Sequence, residues 1–118
     1  MGVLTSAGKN TVLDSGLPAN LYAALHSGAP GADGSANELT GGTPAYARKA
    51  VTMAAASAGA RATSAAVTFD VPAASTVAYA SLWTAATGGV CVATDDVTSE
   101  TFAAQGQYAL ASYTVGAA

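Results

Sequence analysis

The sequence predicts an all-β fold, a β-sandwich of six to eight short antiparallel strands with a short N-terminal helix or arm, in a single domain spanning residues 1–118. Three observations carry that expectation. Between Ala65 and Ala93 lie three apolar runs rich in β-branched and aromatic residues. Pro72 and the Gly88-Gly89 pair punctuate them as turns do. In Val67-Thr68-Phe69-Asp70-Val71 the apolar residues alternate with polar ones, so Val67, Phe69 and Val71 share one face of a strand. Several such segments joined by Gly-rich turns read as a sandwich. Alanine content alone would favour a helical bundle; the β-branched runs and the turn spacing count against it.

Taken in order, residues 1–16 read as a helix or arm, with Thr5 or Ser6 as cap, Val12 and Leu13 as a small apolar patch, and Gly16 with Pro18 as the stop. Residues 20–26, NLYAALH, alternate as the first strand, Leu21, Ala23 and Leu25 on one face. Residues 27–44 carry so many Gly and Pro that no helix or strand period survives; a loop this long in a compact domain points to an interaction surface. Residues 46–53, YARKAVTM, read as a strand whose Arg48 and Lys49 suit an edge or an exposed face. Residues 54–64 are small and ambiguous, a connection that continues an edge. The central block supplies strands at 67–71, 76–83 and 90–92 and, with the single Trp, the core of the fold. Residues 94–105 hold DDVTSE and read as an acidic turn, and residues 107–115, QYALASYTV, read as the last strand.

Composition narrows the function classes. Alanine occupies 31 positions and isoleucine none, so the large side chains that stabilise a core are few. Charged residues are 9% of the chain, well under the roughly quarter of an ordinary domain, which suits a surface packed permanently against neighbours. Four scattered cations, Lys9, Arg48, Lys49 and Arg61, and a net charge of -3 make no phosphate-neutralising patch, so no nucleic-acid partner is expected. No apolar run is long enough to predict a membrane span, and no basic stretch leads into an apolar one as in a secretory signal. One cysteine excludes an internal disulfide and a cysteine-based zinc site, and Cys91 reads as a buried, inert thiol.

Candidate chemistry is sparse. His26 is the only histidine, and with no GxSxG elbow it reads as a surface or hydrogen-bonded residue, not as a triad member. Asp33 and Glu38 in the loop, and Asp95, Asp96 and Glu100 beyond the core block, do not match an EF-hand spacing and read as solvated carboxylates. The Asp95-Asp96 pair is also a candidate partner for Arg48, Lys49 or Arg61 of a neighbouring copy. Trp83 and the loop tyrosines are candidate stacking platforms for sugars, with core packing the default for Trp83. No catalytic, cofactor or metal residue is assigned, and no enzyme is expected.

Five segments in order, LTSAGKNTVLD, LYAALHSGAPGADG, ELTGGTPAYARKAV, VTFDVP and LWTAATGG, resemble a family of small β-sandwich virion proteins of tailed bacteriophages, especially those of actinobacteria, often labelled tail fibre, minor tail or capsid decoration proteins. The resemblance spans about residues 4–115 and brings no catalytic motif. It implies a non-enzymatic virion structural protein, most readily a capsid decoration or minor capsid protein that stabilises the assembled shell by binding only that state. It implies the major capsid protein or other virion proteins as partners and a homo-oligomer, a trimer by guess. The other readings are a tail or tail-fibre component and, from a different class, a carbohydrate-binding or host-adhesion module. The expected last strand runs almost to the end of the sequence, with no fibre shaft after it, which weights the expectation toward the capsid.

Overall fold

A computed structural model describes residues 2–117; Met1, part of the expected arm, lies outside them. One helix and eight strands follow in order: α1 (Ser6–Gly16), β1 (Asn20–His26), β2 (Lys49–Thr52), β3 (Ala60–Ala62), β4 (Val67–Val71), β5 (Ser75–Trp83), β6 (Cys91–Phe102), β7 (Gly106–Leu110) and β8 (Thr114–Gly116). They form a four-stranded antiparallel sheet in the order β2-β1-β5-β6 and two ribbons, β3–β8 and β4–β7. The body is elongated, 48 × 26 × 25 Å.

Alternation along β1 and β5 sets up the core. Leu21, Ala23 and Leu25 of β1 gather with Val77, Ala80 and Leu82 of β5, with Phe69 and Val71 of β4, and with Leu110 of β7. The opposite face of the same two strands carries Ala24, His26, Ser81 and Trp83, and these are buried too. The long loop covers that face. Residues 27–44 thus do more than connect.

β2 covers only the first half of β1's edge, pairing Asn20–Ala23 with residues 49–52. The loop satisfies the second half. Leu39 N–H donates to Leu25 O, Ser27 N–H donates to Asn37 O, and Leu25 N–H donates to the Tyr46 hydroxyl. Buried backbone groups must find partners, and here loop backbone and one tyrosine do the work of a strand.

Helix α1 forms where the capping pattern predicts. Thr5 is the N-cap, its Oγ1 accepting from Gly8 N–H at 3.0 Å. Leu13 is buried, whereas Val12, expected beside it in the patch, is half exposed. The helix packs on its own chain. Asn10 Oδ1 accepts from Gly59 N–H, Asp14 Oδ1 accepts from Ala56 N–H, and the buried Arg61 guanidinium donates to Leu13 O and Leu17 O at the helix C-terminus. A cation at that end suits the carbonyls the last turn leaves free.

Three expectations need correction. The 46–53 strand is shorter: ladder pairing begins at Lys49, and Arg48 is largely covered instead of exposed, its side chain only 9% accessible. The acidic turn at 94–105 is strand. β6 runs from Cys91 to Phe102 because β-branched Thr94, Val97, Thr98 and Thr101 interleave with the acids and β5 supplies a partner along most of its length. Asp95, Asp96 and Glu100 are exposed on an edge strand, where charge discourages unwanted pairing. The last expected strand, 107–115, breaks in two because β7 pairs with β4 and β8 with β3. Thr63 holds the corner between them: its Oγ1 accepts from Tyr113 N–H, and its own N–H donates to Tyr113 O.

Candidate functional site

The densest polar chemistry sits where the loop covers β1 and β5. Ser81 and Trp83 are two apart on β5 and share a face, and His26 ends β1 beside them. The hydrogen bonds run one way. Trp83 Nε1–H can only donate, and it donates to Ser81 Oγ at 2.7 Å. The Ser81 hydroxyl proton then goes to His26 Nε2, 2.7 Å away, and His26 Nδ1–H donates to Ala36 O at 2.8 Å. This chain requires neutral imidazole, and burial of the ring lowers the His26 pKa below its usual 6.5.

A serine hydroxyl on a histidine resembles two members of a hydrolytic triad, but the third position is a backbone carbonyl and not a carboxylate. His26 and Ser81 are both fully inaccessible, so no substrate reaches either. The pair holds the loop: it ties Ala36 to the sheet. His26 is thus hydrogen-bonded, one of the two alternatives its sequence context left open.

A second cluster adjoins it. Arg48 Nε and Nη2 donate to both oxygens of Glu38 at 3.0 Å each, and Nη1 donates to Ala85 O and Gly88 O. The guanidinium lies 3.9 Å from the centroid of the Trp83 ring. Tyr46 donates to Glu38 Oε2 at 2.9 Å while accepting from Leu25. Burial alone would raise the Glu38 pKa, but the hydrogen bonds from Arg48 and Tyr46 outweigh it and hold the carboxyl below its usual 4.5. The same burial pushes the Tyr46 hydroxyl up. Arg48 therefore clamps three segments together: the loop, the β5–β6 turn and the Trp83 ring.

The remaining candidates scatter. Asp33 is exposed and accepts from the backbone and hydroxyl of Ser35, which lowers its pKa. Cys91 is half buried, its thiol pushed up by burial and donating to Ala93 O, as an inert thiol would. Gly34, at φ +76°, lies where a Cβ would collide with Cys91 Sγ, so the loop can close on β6 only with glycine there. Trp83 is 6% exposed with Arg48 across its ring, which removes it as an open sugar platform. Arg48 and Arg61 are both spent inside the chain, so of the three cations expected to meet Asp95-Asp96 of a neighbour only Lys49 is left. Sequence reasoning missed Ser81 and Tyr46. A clue to Tyr46 was present: Glu38, Tyr46 and Arg48 fall within eleven residues around a Gly-Gly turn that folds them back on one another.

At this end of the molecule an open cleft of about 480 Å3 is lined by residues 38–40, 46–48 and 86–88. Its charged groups are already paired with each other, and the surface it presents is small side chains and backbone. Among the described residues, no three His, Cys, Asp or Glu side chains gather as metal ligands. The geometry suits a rigid structural or binding element.

Comparison with known proteins agrees in kind. No curated protein matches the chain. A family model described as "Podophage GP4 fiber I protein gp80" matches residues 8–116, nearly all of it. The chain belongs to this family of phage fibre proteins, and it is a structural protein of a phage virion.

Proposed function

We propose that the protein is a non-enzymatic component of a tail fibre, carried on the virion of a tailed phage. The observation that carries this reading is the family match across residues 8–116. It moves the weight from capsid decoration, the reading the sequence resemblance favoured, to the fibre. The fold supports a load-bearing role: the body is elongated, its long loop is clamped by Arg48, and its serine–histidine pair is sealed from solvent. An adhesion role through Trp83 loses support because the ring is covered.

Immunogold electron microscopy of purified virions, with an antibody to this chain, tests the proposal. Label on the tail fibres is expected. Label over the heads, or no label on intact particles, would overturn it.

A further inference from the structure

The loop over β1 and β5 divides at Asn37. Glu38 and Leu39 lie against β1 much as a strand would, whereas residues 28–36 form a lobe closed on itself. Ser27 N–H donates to Asn37 O at 2.9 Å and pins the neck. Within the lobe Ala36 N–H donates to Pro30 O, Gly34 N–H donates to Gly31 O, and the Asn37 side chain donates to Ala29 O. This is an Ω-loop, a compact excursion whose ends meet. Among the described residues, one hydrogen bond leaves the lobe for the sheet: His26 Nδ1–H donates to Ala36 O at 2.8 Å. Apolar burial adds little. Only Pro30 and Gly34 of the lobe are buried, and it carries no apolar side chain larger than proline's.

What the lobe covers is far less exposed. A Cβ on Gly34 would stand 3.4 Å from Trp83 Cζ2 and 2.6 Å from Cys91 Cβ, so the lobe rests directly on both. Beside them lie the His26 ring and the Ser81 hydroxyl, both fully inaccessible.

We propose that residues 28–36 are a lid over His26, Ser81 and Trp83, latched by neutral His26 and released when that ring gains a proton. The proton goes to Nε2, which in the closed form accepts from the Ser81 hydroxyl. Once protonated, Nε2 can only donate. Ser81 Oγ already accepts from Trp83 Nε1–H and must then turn its own proton away from the ring. Nδ1–H keeps Ala36 O, but a full charge now sits in a site closed to solvent, which costs more than lifting a lid held by one hydrogen bond. Lifting the lid hydrates the ring and leaves the ladder beneath intact.

The charges around the ring do not cancel this cost. Glu38 favours the charged ring and Arg48 opposes it, and these two are already paired with each other. Tyr46 and, from β6, Cys91 are both raised by burial and so uncharged in this range. Tyr79 of β5 is the ladder partner of His26, and Asp33 is exposed on the lid itself. Burial lowers the closed-form pKa of His26 below 6.5, so the open form binds the proton more readily. The open fraction therefore grows as pH falls below that value, by up to about tenfold per pH unit. Opening presents an aromatic ring beside a histidine and a serine, so the surface at this end depends on acidity wherever on the virion the protein sits.

Acrylamide quenching of Trp83 fluorescence tests the lid, because Trp83 is the single tryptophan and the quencher is uncharged. Between about pH 8 and about pH 5 the quenching constant of the wild type is expected to rise severalfold while far-UV circular dichroism stays native. In His26→Asn, whose amide keeps a donor near the Nδ1 position and gains no proton in this range, the constant should stay flat. Gly34→Ala should raise it already at neutral pH, since the new methyl meets Cys91 and φ +76° disfavours any residue but glycine. A wild-type constant that does not change, a rise that comes only with loss of the far-UV signal, a His26→Asn profile that rises like the wild type, or a Gly34→Ala chain quenched no more than the wild type at neutral pH would each overturn the proposal.

Discussion

At the clamped end, between β1, β5 and the loop, His26, Ser81, Trp83, Tyr46, Glu38 and Arg48 all have hydrogen-bond partners inside the chain. Along the β6–β8 flank the reverse holds: β6 pairs only with β5 and β8 only with β3, acids are exposed on β6, and the buried Tyr113 hydroxyl has no partner among the described residues. The first region is finished by the monomer. The second leaves polar groups without a partner among the described residues. The two regions share a sheet and differ in which of their polar groups folding alone can satisfy. A chain with few large apolar residues gains much of its rigidity from such polar locks, because each becomes costly to break once it is buried.

The largest effect expected is from Arg48→Ala. It leaves Glu38 without its ion pair, two carbonyls without donors and the Trp83 ring uncovered, and breaking a largely buried pair by removing one partner costs about 3–5 kcal/mol. Urea unfolding followed by Trp83 fluorescence measures it; a loss near zero would mean that the clamp is ornamental. Ser81→Ala should come next, at about 2–3 kcal/mol, since His26 Nε2 and Trp83 Nε1 both lose their partner in a site that water does not reach.

Acidity probes the same end more gently. The folded His26 pKa is lowered by burial, so below the unfolded value of 6.5 the unfolded chain binds the proton more readily than the native one. Stability is fully present above that pH and declines as pH falls beneath it. Glu38, held below 4.5, adds a second decline at lower pH as the carboxylate of the ion pair is protonated. Chemical denaturation in steps from neutral to mildly acidic pH should show the first decline in the wild type and not in His26→Asn.

The smallest effect is expected on the other flank. Tyr113→Phe removes a buried hydroxyl that has no partner among the described residues, so stability should stay level or rise by up to about 1 kcal/mol. A monomer destabilised as strongly as by Ser81→Ala would erase the contrast between the two regions.

Much of the fold was legible in the sequence. β1 and β4 fall at the residues where alternation places them, β5 begins one residue early, and α1 starts at its cap. These elements are determined by local patterns: a period of two, a threonine hydroxyl poised to accept from the helix's first turn, and glycines at the turns. β6 was misread because its strand residues are diluted by acids, and only the partner strand β5 makes such a segment extended. The split between β7 and β8 was equally hidden, since it depends on which ribbon each half joins.

The sequence by itself determined an all-β chain with a capped helix, a long glycine-rich loop and too little large apolar surface to rely on its core alone. Tertiary structure decided the rest. It brought Arg48 onto Trp83 and Glu38, sealed Ser81 against His26 fifty-five residues away, and left the buried Tyr113 hydroxyl with no partner among the described residues. The physical reason is range. Backbone periodicity and capping act over a few neighbouring residues, whereas satisfaction of a buried polar group depends on whatever the fold places within about 3 Å of it.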